Sequence, residues 1–353
     1  MDEERLIDKA RLLAMGAIHV RTKDYLPWRT ETQTTLERLF WRERVSHGEA
    51  LRRAAFRQRF QLSGGEWPYG SEPLGGLLAR NPSFGPIPCD GRPMFLDPLD
   101  SVITPTVLAT GGWSQDELAL LGRFLRSGDR AVDVGANIGT HASSFAEKVG
   151  PAGAVLALEA DPGIVDLLMH NLQLNQLKQV AVRTVAAGAT PGFASLHLGS
   201  ATTGENSLLA TSLSSSIGAI DVPVRPLDVL TSVLGAGGTI RLVKIDVQGA
   251  EPLVVEGGKG TFEADLPIAF IEYETHNLSR AGLNGRAMLE FFDNLDYAMF
   301  SFDALTGNRA ATNVDEVSAL PAYSYYNVLL VPRSDAVALR AAEAAIKHGD
   351  WRM

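Results

Sequence analysis

The pattern of hydrophobic and polar positions divides the chain into three parts. Up to residue 63, apolar residues recur at helical spacing between charged ones, which predicts helices on both sides of Pro27. Residues 64–98 are rich in Gly and Pro, which predicts a connector or a loop laid across the part that follows. From residue 99 to 353, short apolar runs alternate with amphipathic stretches. That alternation is typical of a doubly wound, mostly parallel α/β sheet.

Seven apolar runs in the last part predict the strands of this sheet. They are residues 131–134, 154–158, 180–185, 240–247, 267–273, 291–302 and 325–332. The last two are expected to be joined by a turn around Thr306-Gly307. The segment from Gly199 to Ser216 is rich in Ser, Thr, Gly and Asn, which predicts a mobile loop that covers a ligand. Before the first strand, Ser114 and Glu117 have the spacing of a helix capping box.

The residues after the first strand have the form of a nucleotide-binding turn. Gly135 and Gly139 allow a tight turn before a helix, but Asn137 stands where a Gly-x-Gly pair requires glycine. Such a turn suits a ligand that has no pyrophosphate, and S-adenosylmethionine (SAM) is one. We expect its amino-acid end to lie at the turn, with Asp133 accepting a hydrogen bond from its ammonium group.

The next two strand ends supply further ligand contacts in this scheme. Glu159 ends the second strand about twenty residues after the turn, where an acidic side chain meets ribose hydroxyls in mononucleotide-binding folds. Asp161-Pro162 is a typical helix start directly after it. The third strand ends near Ala187 without an acid, so we expect backbone groups there to contact adenine.

Polar side chains collect at the ends of the fourth and fifth strands. Because strand side chains alternate, Lys244, Asp246 and Gln248 are expected on one face. Asp246 is then placed at the carboxyl edge, where ligands of open α/β sheets bind. The alternative for Asp246 is to cap the next helix. The same alternation places three more polar residues of the neighbouring strand on one face: Glu272, Glu274 and His276.

These motifs together resemble the FkbM-type SAM-dependent methyltransferase family, a branch of the class I methyltransferases. The similarity extends over about Met94 to Pro332. It rests on residues 132–139, 159–162 with Asn171 and Asn175, 226–230, and 243–251 followed by Gly257-Gly258. The family usually has Glu at position 248 and Gly at position 296, where this chain has Gln248 and Asp296.

The resemblance implies a seven-stranded Rossmann-like methyltransferase sheet with one reversed strand, and SAM as the cofactor. It also implies O-methylation of a hydroxyl on a small molecule such as a sugar, glycolipid, polyketide or other natural product. The N-terminal helices are then expected to form a substrate lid or a homodimer surface. A SAM-binding regulatory or assembly subunit without activity is the alternative, and the missing Gly-x-Gly disfavours an NAD-dependent oxidoreductase.

Methyl transfer to a hydroxyl needs an in-line acceptor and one general base. An imidazole ordinarily titrates near pH 6.5, so His276 is the first choice, with Asp246 or Glu274 as alternatives. A competing hypothesis places a divalent metal between Asp246 and Glu272 or Glu274, but we favour the metal-free base.

The composition excludes some classes of protein. The net charge of −9 disfavours a nucleic-acid binder, because such proteins need a basic surface. The single cysteine, Cys89, excludes an intrachain disulfide or a cysteine zinc cluster and fits a reducing cytoplasm. The acidic N-terminus and the absence of a long apolar run predict a cytoplasmic protein without a membrane span. The arginine-rich second helical block is interpreted as a solvated face.

Overall fold

The computed structural model describes residues 86–97, 100, 102–199, 202–210, 216–235, 238–303, 309–321 and 324–348. The predicted helices of residues 1–63 lie outside these residues, as does most of the predicted connector. Among the described residues, no helix combines the length and the apolar content that a bilayer crossing requires.

The described chain alternates strands with helices from residue 87 onward. The strands are β1 (Ile87–Cys89), β2 (Arg92–Met94), β3 (Arg130–Val134), β4 (Ala154–Glu159), β5 (Val180–Thr184), β6 (Ala186–Ala187), β7 (Gly192–Gly199), β8 (Ser216–Arg225), β9 (Ile240–Ile245), β10 (Ile268–Glu274), β11 (Tyr297–Asp303), β12 (Arg309–Thr312) and β13 (Tyr325–Pro332).

The helices lie between these strands and after the last one. They are α1 (Ile103–Thr110), α2 (Gln115–Leu121), α3 (Thr140–Val149), α4 (Pro162–Leu174), α5 (Leu227–Thr231), α6 (Glu251–Glu256), α7 (Lys259–Asp265), α8 (Thr275–Ala281), α9 (Gly285–Asn294), α10 (Val314–Ser318) and α11 (Ala336–His348).

The central sheet has the strand order β12-β11-β13-β10-β9-β3-β4-β5. Strands β5, β4, β3, β9 and β10 are parallel neighbours, whereas β13 runs antiparallel between β10 and β11. The mostly parallel α/β class is therefore confirmed. The sheet has eight strands instead of seven, because the short β12 pairs antiparallel with β11 at the edge.

Helices cover both faces of this sheet, as the doubly wound pattern predicts. Successive residues of β3 show the division: Ala131 packs in the core under α2, α3, α4 and α11, whereas Val132 packs in the core under α5, α6, α7 and α9. Both side chains are fully buried. A strand buried on both faces has a nearly continuous apolar sequence, and this is why the central strands are recognisable as apolar runs in the sequence.

Several predicted strands have different bounds in the structure, and the largest shift is in the run 291–302. Residues 291–294 end helix α9, because Met288, Leu289 and Phe292 bury one helical face, so the following strand begins only at Tyr297. The predicted turn at Thr306-Gly307 lies outside the described residues. At the other end of the sheet, β5 stops at Thr184 and the chain leaves the sheet.

The chain that leaves β5 enters a second, three-stranded sheet with the order β6-β8-β7. Ala186 and Ala187 pair with Val224 and Arg225 of β8, and β7 pairs antiparallel with β8. The described part of the predicted loop between β7 and β8 includes a 3-10 turn, Thr203–Glu205, and a bridge from Ser207 to His197. This segment thus contains regular structure, which its polar composition did not indicate.

The end of the predicted connector forms the hairpin β1-β2, which packs against α4. Asn171 accepts a hydrogen bond from the amide of Phe95 at 2.6 Å and donates to the carbonyls of Phe95 and Ile138. Asn175 donates to the carbonyl of Pro93. Cys89 is fully buried in this region. Burial raises the pKa of the Cys89 thiol to about 12, so it is protonated at neutral pH.

Candidate active site at the carboxyl edge of the sheet

A cavity of about 300 Å³ lies at the carboxyl ends of the parallel strands. Its wall includes Asn137 after β3, Glu159 at the end of β4, Ala187 of β6 and Asp246 after β9. These four predicted site residues come from separate segments of the sequence. Parallel strands bring them together because their carboxyl ends meet at one edge.

The glycine turn after β3 is closed by its own backbone. The amides of Gly135 and Ala136 donate to the carbonyl of Leu158 at 2.9 and 3.0 Å, and the amide of Asn137 donates to the Glu159 carboxylate at 2.9 Å. Three successive amides are therefore used within the protein. A pyrophosphate would find none of these three free.

The two glycines of the turn are required by packing as well as by backbone conformation. Gly135 has a φ of +79°, and a Cβ there would lie 1.9 Å from the carbonyl oxygen of Asp246. Gly139 has a φ of +94°, and its Cβ would meet Leu168 at 2.4 Å. A side chain at Gly135 would therefore strike the backbone that follows β9.

Glu159 is held at the cavity wall by two backbone donors. One carboxylate oxygen accepts from the amide of Asn137 and the other from the amide of Asp161 at 2.8 Å. Burial raises the pKa of Glu159 to about 7, although the backbone hydrogen bonds act in the opposite direction. The helix start after it forms as predicted, since Asp161 accepts from the amide of Gly163 and Pro162 is the first helical residue.

A row of charges links the turn to the end of β9. The ammonium of Lys244 lies 3.1 Å from Asp246, 3.5 Å from Asp133 and 3.3 Å from the carbonyl oxygen of Gly135. Burial alone would lower the pKa of Lys244, but the carboxylates of Asp246 and Asp133 outweigh burial and raise that pKa. Asp246 contacts both Lys244 and Gln248, although β9 ends at Ile245 and strand alternation does not extend to these two later residues.

Gln248 joins the ends of β9 and β10 through its amide. Its Nε2 donates to Asp246 at 3.0 Å and to Glu272 at 2.7 Å. Burial raises the pKa of Asp246, but the Lys244 ammonium and the hydrogen bond from Gln248 outweigh it, so that pKa is lowered. Burial, together with the charges of Asp246 and Glu251, raises the pKa of Glu272 well above its ordinary value. The Lys244 ammonium thus favours the ionised form of Asp246, whereas burial favours the protonated form of Glu272.

Glu251 fixes the turn on which Gln248 lies. Its carboxylate accepts from the amides of Val247 and Gly249 at 3.0 and 3.1 Å. Burial raises the pKa of Glu251 to about 7. The start of α6 has no side-chain cap, so Asp246 does not serve the capping role that was the alternative for it.

Residues 202–208 of the polar segment between β7 and β8 line the cavity. Asp100 accepts from the hydroxyl of Thr202 at 2.6 Å and from the amide of Thr203 at 2.8 Å. Farther along, Asn206 donates to Asp161, and Ser207 donates to the carbonyl of Gln248. The described residues of this segment are therefore bonded to three other parts of the fold, and its role as a cover stays a prediction.

Comparison with known proteins identifies the part of the chain that builds this site. Residues 133–299 match the model of the methyltransferase FkbM domain. The match covers just under half of the chain, and we refer to this part as the FkbM domain. The resemblance inferred from the motifs is confirmed.

Individual relatives overlap only in part with this chain. Methyltransferase FkbM from Methylobacillus flagellatus KT is 17% identical, with 61% of this chain and 47% of that one covered and a TM-score of 0.36. The O-methyltransferase TomG from Streptomyces achromogenes, solved with SAM, is 15% identical over 62% of this chain and 79% of its own, with a TM-score of 0.35.

A protein-L-isoaspartate O-methyltransferase from Methanothrix thermoacetophila is 36% identical over 58 residues, which are 16% of this chain and 28% of that protein. The chain thus spans less than half the length of this curated relative and of the Methylobacillus structure. Overlaps of this extent do not transfer an acceptor to this FkbM domain.

Several predicted site residues lie away from the cavity wall of the FkbM domain. Asp133 is fully buried and faces Lys244, and its carboxylate oxygens have no hydrogen-bond partner among the described residues. Strand β10 ends at Glu274 and helix α8 begins at Thr275, so the expected alternation to His276 is wrong. His276 lies instead beside Arg280 on α8, and Glu274 accepts from Asn277.

The structure adds His141 and Glu117 to the residues of interest. His141 is buried in the cavity wall, and its Nε2 lies 3.2 Å from Oε2 of Glu117. Oε1 of Glu117 accepts from Asn327 at 2.8 Å. Ser114 makes no side-chain cap bond, so the predicted capping box is not formed. The sequence signal for this contact is the position of His141, two residues after Gly139.

Within the described residues, no group of three or more His, Cys, Asp or Glu side chains has a metal-holding arrangement. The competing hypothesis places a cation between Asp246 and either Glu272 or Glu274, and Glu274 accepts a hydrogen bond from Asn277. The space between Asp246 and Glu272 is bridged by the amide of Gln248.

Proposed function

We propose that this protein is a SAM-dependent methyltransferase that methylates a hydroxyl of a small molecule. The FkbM methyltransferase domain supports the reaction class. The observation that carries the cofactor assignment is the pairing of Glu159 with the closed glycine turn on one cavity wall. Glu159 keeps lone pairs for ribose hydroxyls, while the turn offers no amide to a pyrophosphate from its first three positions.

The charges of the cavity fit a cationic cofactor. Asp246 is ionised, 38% of its side-chain surface is exposed, and it lines the cavity, so it offers a carboxylate to an ammonium group. The carboxylate of Asp133 lies behind Lys244 and holds that ammonium instead. In this proposal Asp246, Asn137 and Glu159 bind the cofactor directly, Gly135 and Gly139 shape the turn, Asp133 orients Lys244, and Ala187 lies against adenine.

The residues of the chain position the acceptor and remove its proton. Bound SAM supplies an electrophilic methyl group on a sulfonium. Displacement at carbon requires the acceptor oxygen to approach in line with the bond that breaks, so orientation and one base are the main contributions of the protein. The acceptor is proposed to enter beside Asp246 and Glu272, whose strand ends border the cavity.

Calorimetric titration of the full-length protein with SAM, S-adenosylhomocysteine and NAD tests the cofactor assignment. We expect micromolar binding of the first two and none of NAD. Tight binding of NAD without SAM would overturn the proposal. A mass-spectrometric screen with methyl-labelled SAM against sugars, glycolipids and polyketide alcohols then tests the reaction. SAM binding without transfer to any acceptor would favour a non-catalytic SAM-binding subunit.

A further inference from the structure

We infer that His141, oriented by Glu117, is the general base of this site. The inference rests on the proposed methyl transfer to a hydroxyl. It replaces the histidine that the sequence suggested, because His276 follows β10 on α8 and is not one of the residues lining the cavity within the described part of the chain.

The position of His141 is set by the element that follows the glycine turn. Helix α3 begins at Thr140, directly after Gly139, so the second residue of the helix lies beside the cofactor turn. Both Thr140 and His141 line the cavity, and His141 is only 5% exposed. Its ring therefore lies in the wall at the place where the β3 turn and the end of β9 meet.

The contact with Glu117 decides which ring nitrogen is available. Nε2 is buried, and the Glu117 carboxylate lies 3.2 Å away, but within the described residues the two groups are not aligned as a hydrogen bond. A neutral imidazole carries one proton, and a carboxylate beside Nε2 favours the tautomer in which Nε2 bears it. Nδ1 then holds a lone pair that can accept a proton. Hydrogen bonds of catalytic groups are often poorly aligned before substrate binds, which suits this long contact.

Glu117 is itself held in place. Asn327 of β13 donates to its Oε1 and thereby leaves Oε2 for the imidazole. Helix α2, helix α3 and strand β13 thus contribute one residue each to a line of three side chains. Glu117 and Asn327 are positioning residues in this arrangement, since they act through His141.

The step balances with these groups alone. Nδ1 of His141 takes the hydroxyl proton as the acceptor oxygen bonds to the methyl carbon, while the carbon–sulfur bond breaks and leaves its electron pair on sulfur. The imidazolium that forms lies beside the negative charges of Glu117 and Asp246, since the charge of His141 bears on Asp246 as well. Both carboxylates stabilise the positive charge that develops.

Nitrogen-15 NMR of the full-length protein labelled at histidine tests the tautomer without an acceptor. Seven histidines are present, and His141→Gln assigns the signal by its loss. At pH 8 we expect the proton on Nε2 in the wild type and a larger share on Nδ1 in Glu117→Ala. A wild-type signal with the proton on Nδ1, or with both nitrogens protonated, would overturn the inference.

Kinetics with an acceptor found in the screen give the second test. His141→Gln keeps a donor amide near Glu117 but lacks the basic Nδ1, so we expect kcat to fall by about 10²- to 10⁴-fold. SAM affinity should stay within about threefold. His170→Gln, at an exposed histidine of α4, is the matched control and should retain full activity.

A fall in kcat in His276→Gln, together with full activity of His141→Gln, would overturn the assignment of His141 as the base and favour His276 instead. Failure of the wild type to bind SAM would instead refute the proposed function, and the tautomer measurement would still decide whether Nδ1 is a free base.

Discussion

The carboxyl group of Glu159 provides a quantitative test of the cofactor site. With a pKa of about 7, roughly nine-tenths of this group is ionised at pH 8 and roughly one-tenth at pH 6. If ribose hydroxyls bind the ionised form, the Kd for SAM should rise about tenfold from pH 8 to pH 6 from this group alone, or about 1.4 kcal/mol.

Glu159→Gln is the matched control for this titration. The variant keeps the shape of the side chain but removes the charge, and its amide can satisfy only one of the two backbone donors from Asn137 and Asp161. We expect its affinity for SAM to be lower by roughly 1 to 3 kcal/mol at pH 8. The amino group of the ligand titrates in the same range, so the variant supplies the baseline.

Calorimetry at pH 6, 7 and 8 on both proteins measures the difference. The reasoning is refuted if the wild type and the variant show the same pH dependence, or if the folded variant binds SAM as tightly as the wild type. In the first case ribose does not select the ionised form. In the second, Glu159 makes no contact with the ligand.

The same raised pKa predicts that the stability of the unliganded protein changes with pH in the opposite direction to the affinity for SAM. A carboxyl whose pKa is raised from 4.5 to about 7 by folding binds its proton more tightly in the folded state. The free energy of unfolding should therefore rise as the pH falls from 8 towards 5. The full shift in pKa corresponds to about 3 kcal/mol, and we expect a smaller rise because Glu159 is only partly buried. Urea unfolding of both proteins measures this contribution as the free energy of unfolding of the wild type minus that of Glu159→Gln at each pH. A difference that falls with decreasing pH would contradict the prediction.

Three further predictions follow from other contacts. Asn171→Ala removes three hydrogen bonds that hold the β1-β2 hairpin and the glycine turn, so urea unfolding should show a loss of roughly 2 to 4 kcal/mol; an unchanged midpoint would contradict it. Asp100→Ala releases the segment over the cavity, so limited proteolysis near Thr202 should be faster and SAM binding weaker, whereas a wild-type digestion rate would show that the segment is held elsewhere. Deletion of residues 1–63 should leave SAM binding intact and impair acceptor binding or dimerisation, as measured by calorimetry and light scattering; loss of folding would show that these residues belong to the core.

The sequence determined the features that depend on local pattern. Continuous apolar runs located β3, β4 and β9, since a strand covered on both faces tolerates few polar side chains. Asp161-Pro162 located the start of α4, because the cap and the fixed φ of proline act over neighbouring residues. The glycine turn and Glu159 were found by their spacing. Together with the motifs at residues 226–230 and 243–251, these features indicated the resemblance to the FkbM family.

The tertiary structure decided which distant side chains face one another. The sequence predicted a capping box of Ser114 and Glu117, but in the folded chain Glu117 lies 3.2 Å from His141 of α3, two dozen residues away. The alternation that placed His276 beside Glu274 failed because a helix begins at Thr275, and a change of periodicity at a strand end leaves no strong local signal. The structure also shows why Gly135 has no side chain: a Cβ there would meet the carbonyl oxygen of Asp246, which follows strand β9. Contacts of this kind depend on how the elements pack, and no single segment contains that information.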